Sequence, residues 1–307
     1  MCFGYLFIKQ FDHFHFRKGL GDFFVVLHQR SVELIFPFFV YDDNVDFHER
    51  LQKFRYCTAF CYNLHHKRDF YKGSTVSDIQ LGIYPLHYEQ VTDPAFLWQH
   101  IYPNMLRNYY WSDDFSPEYY IAQAQAGFIA VTDIYQGMEL LLPEIQFSYA
   151  LLHYKHLHTR KKVGKLLDRG LGLTVTSEID AVCDKIRSYH KNCWLTPAYQ
   201  ATLNTTKNID ADFQILSAYI EEEGEMIAGE VGYIIGESYT SLSGFSNRQK
   251  RFRNYGTAQL VLLAHFLHEQ GIDFWNLGQS YMPYKFALGA VQYEREAFLK
   301  EWFKHTR

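Results

Sequence analysis

The 307-residue sequence predicts an α+β fold in which a mixed sheet is flanked by helices. Three observations support this class. Residues 213–246 read as three strands separated by turns at Glu223-Gly224 and Gly236-Glu237. A loop, an apolar helix, a further strand and a terminal helix follow, which gives the order β-β-β-loop-α-β-α. Upstream of the strands, capping residues and apolar periodicity predict additional helices.

Composition restricts the classes of function. Apolar residues make up 48% and charged residues 21% of the chain, which is typical of a folded globular protein. No apolar run approaches the ~18 residues of a membrane-spanning helix, so we expect no membrane partner. The net charge of −4 excludes a generally basic surface, and we expect no DNA partner. Five cysteines without regular spacing favour a reducing, cytoplasmic location.

The chain is expected to contain three parts. Residues 1–75 form an N-terminal extension that ends in the polar stretch KRDFYKGSTVSDIQ. This extension is a genuine feature of the protein, an unstructured segment, or the product of a mis-assigned start upstream of Val76. Residues 76–143 are predicted to form a small α/β N-terminal domain, and residues 144–307 the main core of the protein.

The extension itself carries two weak signals. VVLHQRSVELIFPFFVYDD predicts one or two strands, although Pro37 interrupts the run. Cys57, Cys61 and His65 would share a helix face, but their spacing differs from that of known zinc modules. We therefore predict no metal site.

Helix signals are clearest between residues 108 and 190. Ser116 is a good N-cap, Pro117 occupies the first helical position and Gly127 ends the helix. A strand, a helix and a strand at LGLTVT follow. EIDAVCDKIRSYH predicts an amphipathic helix whose apolar face contains Ile179, Val182, Cys183 and Ile186.

The loop before the last long helix has the pattern Arg253-x-x-Gly256-x-Ala258. A turn of this kind leaves backbone N–H groups unpaired at the helix N-terminus, where they and the helix dipole attract an anion. Gly256 permits close approach, and Arg253 adds a charge-assisted contact. A simple turn into a buried helix explains the same pattern. The position of the loop after a three-stranded meander is what favours an anion-binding loop.

This arrangement resembles the GCN5-related N-acyltransferase superfamily. The resemblance implies that the loop holds the pyrophosphate of acyl-CoA and that splayed strands hold the acyl arm. It also implies a set of cofactor-binding candidates: Arg253, Asn254, Tyr255, Gly256, Thr257 and Ala258.

Four stretches between Asn108 and Trp302 resemble, in order, motifs of the leucyl/phenylalanyl-tRNA–protein transferase family, which has the same acyltransferase-type core. The stretches are DDFSPEYYIAQAQAGFIAV, CWLTPAYQATL, LSGFSNRQKRFRNYGTAQLVLL and DFWNLGQSYMPYKFALGAVQYEREAFL. By this resemblance the chain is a cytoplasmic aminoacyltransferase, which moves an aminoacyl group from tRNA to a protein N-terminal amine. Its partners are then the acceptor end of aminoacyl-tRNA and a protein or peptide N-terminus, without a tightly bound cofactor.

The sequence departs from this family at positions tied to transfer. The Asp of the family's Asp-x-Gln pair falls on Asn276, and its Gln falls on Gln279 or Gly278. The Glu before its Ser-Met-Phe-Ser motif falls on Leu242, and its Trp pair falls among Leu141, Leu142 and Pro143. Asn cannot act as a carboxylate base. Two alternatives therefore stay open: an acyl-CoA-dependent N-acyltransferase, and a non-catalytic relative that binds aminoacyl-tRNA or CoA.

Both catalytic alternatives require an amine to attack an activated acyl carbonyl held between the strands. The catalytic candidates are Asn276 and Gln279, which would orient the amine or the carbonyl, and Tyr284, where acyl-CoA-dependent relatives often place an acid. Backbone N–H groups near Gly244 and Phe245 are candidate oxyanion donors. HYKHLHTRKKVGKLLDR supplies a basic patch for the RNA backbone or a solvated helix face, with Lys155, Arg160, Lys161 and Lys162 as candidates.

Overall fold

The computed structural model describes residues 83–207 and 209–306, together with the backbone of three strands near the N-terminus. The chain divides into two compact units, residues 1–73 and 74–307. In the first unit, β1 (His13–Lys18), β2 (Phe23–Gln29) and β3 (Val32–Phe38) form an antiparallel sheet in that order. Pro37 lies within β3, opposite Phe24.

Several expectations lie outside the described residues. These are the Cys57, Cys61 and His65 cluster and the alternative start at Val76. The expected division of the chain into three parts stays a prediction.

The second unit begins with short elements. They are β4 (Tyr84–Pro85), α1 (Tyr88–Val91), α2 (Pro94–Phe96) with a π-helical turn (Leu97–Ile101), β5 (Tyr110–Trp111), α3 (Pro117–Gln125), β6 (Ile129–Tyr135) and β7 (Met138–Glu144). Ser116 Oγ accepts the Tyr119 N–H at 3.2 Å, and Gly127 has φ of 86°, so α3 has the predicted caps. β6 and β7 form an antiparallel hairpin. The predicted boundary between residues 143 and 144 falls inside β7.

The larger part of this unit contains the predicted elements in the predicted order, with an unpredicted short helix (Pro283–Ala287) and strand (Val291–Glu294) before the terminal helix. Its strands are β8 (Ser148–His153), β9 (Thr174–Thr176), β10 (Phe213–Glu222), β11 (Glu225–Ile235), β12 (Ser238–Ser246), β13 (Phe274–Gln279) and β14 (Val291–Glu294). Its helices are α4 (Lys161–Leu167), α5 (Asp180–Tyr189), α6 (Pro197–Thr206), α7 (Tyr255–Glu269), α8 (Pro283–Ala287) and α9 (Arg295–His305). The strand order is β14-β8-β13-β12-β11-β10-β9. The α+β class with a mixed sheet flanked by helices is confirmed.

The sheet is covered on both faces. Along β10, Phe213 and Ile215 pack into a core with α5, α6 and α9, whereas Leu216 and Ala218 pack into a second core with α7 and α4. This alternation follows from the two-residue period of a strand. Among the described residues, no helix combines the length and apolarity needed to cross a bilayer.

β12 and β13 separate part-way along their length. They pair in parallel through Ser238, Tyr239 and Thr240, whereas the other neighbours in this sheet are antiparallel. Among the described residues, the two strands form no pairs beyond Thr240 and Asn276. Each strand is irregular just past this point. Leu242 is skipped in the pairing of β12 with β11, and the register of β13 with β8 shifts between Asn276 and Gln279.

Candidate active site

The loop between β12 and α7 brings the predicted cofactor-binding residues to the N-terminus of a 15-residue helix. Asn254 is the N-cap residue and has φ of 74°, and its carbonyl accepts the Ala258 N–H at 2.9 Å. The N–H groups of Tyr255, Gly256 and Thr257 have no protein acceptor among the described residues. Such donors at a helix N-terminus can bind an anion.

Packing accounts for two residues of this loop. A Cβ on Gly256 would lie 3.0 Å from Ser246 Cβ at the end of β12, so Gly256 permits a close approach of loop and strand. Ala258 is buried under the sheet, whereas Arg253 is exposed. The structure therefore supports both interpretations of the motif, a helix entry and an anion cradle.

The end of β13 holds two predicted catalytic residues in different environments. Asn276 is buried, and its Oδ1 accepts the Gly278 N–H at 2.9 Å. This bond supports the irregular backbone at Gly278, whose φ is 73°. Gln279 is only partly buried and donates from Nε2 to Glu144 Oε2 at 3.1 Å. Gln279 thus connects a buried carboxylate with the open end of the strand.

Glu144, at the end of β7, is 4% exposed. Asn108 Nδ2 donates to its Oε1 at 2.9 Å, and Gln146 Nε2 lies 3.5 Å from its Oε2. Burial raises the pKa of Glu144 from 4.5 to about 7, although hydrogen bonds from Gln279, Tyr109 and Asn108 act in the opposite direction. The carboxyl therefore titrates near neutral pH.

A second carboxyl, Glu230 of β11, is buried on the side of the sheet covered by α7. Its Oε1 accepts from Tyr239 Oη at 2.8 Å and from Ser241 Oγ at 2.7 Å. Trp275 Nε1 in turn donates to Ser241 Oγ at 2.7 Å, which ties this group to β13. Burial raises the pKa of Glu230 to about 7, and the two hydroxyl groups act in the opposite direction.

Lys285, on α8, is the cation associated with both carboxyls. It is 3% exposed, and its Nζ donates to the Gln279 carbonyl at 2.7 Å. Burial lowers the pKa of Lys285 to about 8, and Glu230 and Glu144 act in the opposite direction. We call Glu144, Glu230, Asn276, Gln279 and Lys285 the buried polar cluster. Buried ionisable groups with shifted pKa values concentrate at functional sites.

This geometry can be set beside known proteins. The family model described as leucyl/phenylalanyl-tRNA protein transferase matches residues 151–302. These residues, just under half of the chain, are therefore similar to this transferase family. The resemblance found in the sequence motifs is confirmed, and the matched segment contains Glu230, Asn276, Gln279 and Lys285.

Over the whole chain, the similar structures are only distant matches. No curated protein matches the chain. FemX matches 94% of this chain and 88% of its own at 10% identity, with a TM-score of 0.38. A tandem GNAT protein from the clavulanic acid biosynthesis pathway matches 91% and 81% at 11% identity, with a TM-score of 0.32. Likeness at this level carries no information on activity.

A third similar structure is the C-terminal DUF2156 domain of an Agrobacterium fabrum protein. It has 18% identity and a TM-score of 0.30, and the match covers 54% of this chain and 53% of that chain. The chain therefore spans about half the length of that relative.

Tyr284 and the predicted basic residues lie at the surface, whereas Phe245, beside the predicted oxyanion donors of β12, is buried. Tyr284, on α8, is 49% exposed, and its neighbour Tyr281 is 40% exposed. Lys155 is exposed in a 3₁₀ turn (Tyr154–His156), and Arg160, Lys161 and Lys162 are exposed at the start of α4. The His158 N–H donates to the Leu288 carbonyl at 2.8 Å, so the basic segment meets the end of α8.

A concavity of about 360 Å³ lies away from these residues, among α1, the π-helical turn, α3 and α9. Its lining includes Leu97, Trp98, Tyr102 and Phe303, and it contains none of the predicted site residues. We do not assign the reaction to it, because the described residues that line it include no acidic side chain, no histidine and no lysine or arginine.

Sequence reasoning missed three members of the buried polar cluster. Glu144 lies beside the position of the family's Trp pair, and nothing local distinguishes it from a solvated turn residue. Lys285 carries no local signal either. Glu230 had a usable one, because it is a single acidic residue within the apolar run MIAGEVGYII.

Proposed function

We propose that this protein moves an aminoacyl group from tRNA to the N-terminal amine of a protein or peptide. The observation that carries the proposal is the placement of Gln279. This partly exposed amide lies where β13 has separated from β12, and it is hydrogen-bonded to a buried carboxyl that titrates near neutral pH. The match of residues 151–302 to the tRNA-dependent transferase family supports aminoacyl-tRNA as the donor.

In the proposed reaction, the amine nitrogen attacks the ester carbonyl carbon of the aminoacyl-tRNA. A C–N bond forms, the C–O bond to the ribose breaks, and one proton passes overall from the amine to the ribose oxygen. The protein's part is to hold both reactants between the separated strands and to orient the amine. Gln279 accepts an N–H of the amine through its carbonyl oxygen, whereas the buried Asn276 shapes the strand end.

The acceptor stem of tRNA would lie against the exposed basic segment of Lys155, Arg160, Lys161 and Lys162. Because contacts of this kind release counterions, tRNA binding should weaken steeply as salt concentration rises. The half-exposed Tyr284 follows Gln279 in the chain and lies on α8, whose end meets the basic segment, and we propose that it contacts the terminal nucleotide or the leaving group. The proposal retains the cytoplasmic location expected from the cysteine content.

The proposal is tested by incubating the protein with radiolabelled Leu-tRNA or Phe-tRNA and a peptide that begins with Arg or Lys. We expect label in a peptide whose N-terminal amine is free. We expect no label in the same peptide after that amine has been acetylated. Absence of labelled peptide across donors and acceptors would refute the aminoacyl transfer.

A second function, acyl-CoA-dependent N-acyl transfer, is favoured by the unpaired amides of Gly256 and Thr257 beside Arg253. A ligand that binds only the native state raises the melting temperature. CoA would then stabilise the protein, and Arg253→Glu would abolish that stabilisation. If charged tRNA stabilises the protein and CoA does not, this alternative is wrong. Charged tRNA that binds without product would instead indicate the non-catalytic relative.

A further inference from the structure

The strand that carries Gln279 supplies no carboxylate to it. The position that corresponds to the family's Asp is Asn276, whose Oδ1 is engaged by the Gly278 N–H. A neutral amide in that bond cannot fix the orientation of a neighbouring Gln as a carboxylate would. Any carboxylate partner for Gln279 must come from elsewhere in the fold.

β7 provides that partner. Glu144 Oε2 lies 3.1 Å from Gln279 Nε2, and Glu144 is held in place by the backbone of the β6–β7 hairpin, where it pairs with Ile129. Its other oxygen accepts from Asn108 Nδ2 at 2.9 Å. The carboxyl is therefore buried, rigidly placed and surrounded by donors, which favours a fixed acceptor role.

We propose that Glu144 is the positioning residue for Gln279 in acyl transfer and replaces the carboxylate that the β13 strand lacks. This inference rests on the proposed function. An ionised carboxylate can only accept, so it bonds the amide Nε2 and fixes the orientation in which Oε1 is the atom that faces the attacking amine. A protonated Glu144 is itself a donor and stabilises the flipped amide, which presents N–H groups to the amine instead.

The charge state of Glu144 is thus coupled to activity. The charged or titratable groups that act on it are Lys285 of α8, Arg295 of α9, Tyr149 of β8 and Tyr109 before β5. Because burial raises the pKa of Glu144 to about 7, the active ionised form is gained as pH rises through neutrality.

The test compares single-turnover transfer by wild type and Glu144→Gln as a function of pH, with Glu221→Gln on the exposed side of β10 as the matched control. We expect the rate of wild type divided by that of Glu144→Gln to be near one at about pH 5.5 and to exceed about ten at about pH 8. Groups that orient a site residue typically contribute about 10–100-fold. The peptide amine titrates equally in both proteins and cancels in the ratio. The tRNA KM should be unchanged.

Two further variants distinguish positioning from a structural role. In a Gln279→Ala background, Glu144→Gln should have no additional effect, because Glu144 acts through Gln279. Asn108→Ala keeps the carboxyl but removes a hydrogen bond that lowers its pKa, so the rise of activity should move to higher pH. This variant serves if Glu144→Gln does not fold.

The possible outcomes separate the two proposals. No transfer by wild type overturns the proposed function. Transfer by wild type with a rate ratio that is constant across pH, effects that add in the Gln279→Ala background, or an unshifted profile for Asn108→Ala overturns the role of Glu144 and leaves the function standing.

Discussion

The loop from Arg253 to Ala258 and the buried polar cluster differ in how the chain builds them. The loop consists of six consecutive residues at one helix entry, whereas the cluster takes Glu144 from β7, Glu230 from β11 and Lys285 from α8. A motif within one turn is visible in a sequence. A site assembled from distant strands exists only after the sheet has formed, so reading the sequence finds the first and overlooks the second.

The two regions also differ in electrostatics. Arg253 is exposed to solvent, which screens its charge, so the loop gains energy only when a ligand binds. In the cluster, burial has already raised the pKa values of Glu144 and Glu230 and lowered that of Lys285. Burial of these ionisable groups therefore lowers the stability of the folded protein, and such a loss of stability is typical of catalytic groups.

The largest difference in stability between the two regions is expected for Gly232→Ala, a substitution beside the buried polar cluster. A Cβ there would lie 2.3 Å from Tyr239 Oη and 2.4 Å from the Thr240 carbonyl, and Tyr239 holds Glu230. We expect Gly232→Ala to lower the free energy of unfolding by about 3 kcal/mol or more, since backbone must move. Urea unfolding measures this, with Gly164→Ala, whose Cβ meets nothing within 4 Å, as control. Equal stability of the two variants would contradict tight packing around Glu230.

The pH dependence of the free energy of unfolding should show how much the burial of Glu230 destabilises the protein. Its folded pKa is raised, so its contribution to stability is complete below about pH 4.5 and is lost as pH rises through about 7. We expect Glu230→Gln to be more stable than wild type by about 1–3 kcal/mol at neutral pH and equal to it at acid pH. Urea unfolding across this range is the measurement, with the exposed Glu221→Gln as control. Parallel curves for Glu230→Gln and wild type would show that the carboxyl is not penalised by burial.

The smallest effect is expected in the loop. A Cβ on Gly256 would lie 3.0 Å from Ser246 Cβ and 3.1 Å from its Oγ. The hydroxyl can rotate away, and a shift of the loop by a few tenths of an ångström relieves the contact with Cβ. Gly256→Ala should therefore change the free energy of unfolding by less than about 1 kcal/mol, as for most tolerated substitutions. A thermal melt beside that of Gly232→Ala checks this. A loss as large as that of Gly232→Ala would place the loop and the cluster under the same packing constraint.

Local signals explain how much of the fold could be predicted. The caps of α3, the apolar face of α5 and the turns at Glu223-Gly224 and Gly236-Glu237 are encoded within a few residues, and each was located correctly. The irregularities at Leu242 and Gly278 were not predicted, because strand pairing rather than local propensity produces them. Glu144 was missed for the same reason: it becomes a site residue only when the hairpin meets β13.

The most direct measurement of the central claim is single-turnover transfer of radiolabelled Leu from tRNA to an Arg-initiated peptide by Gln279→Ala and Arg253→Ala, with Gln292→Ala on β14 as the matched control. Removing a group that orients reactants should cost Gln279→Ala about 100-fold. Arg253→Ala and Gln292→Ala should stay within about threefold of wild type, as expected of residues outside the transition state. Transfer by Gln279→Ala at the wild-type rate, or transfer lost in Arg253→Ala alone, would contradict the account and place the reaction at the loop.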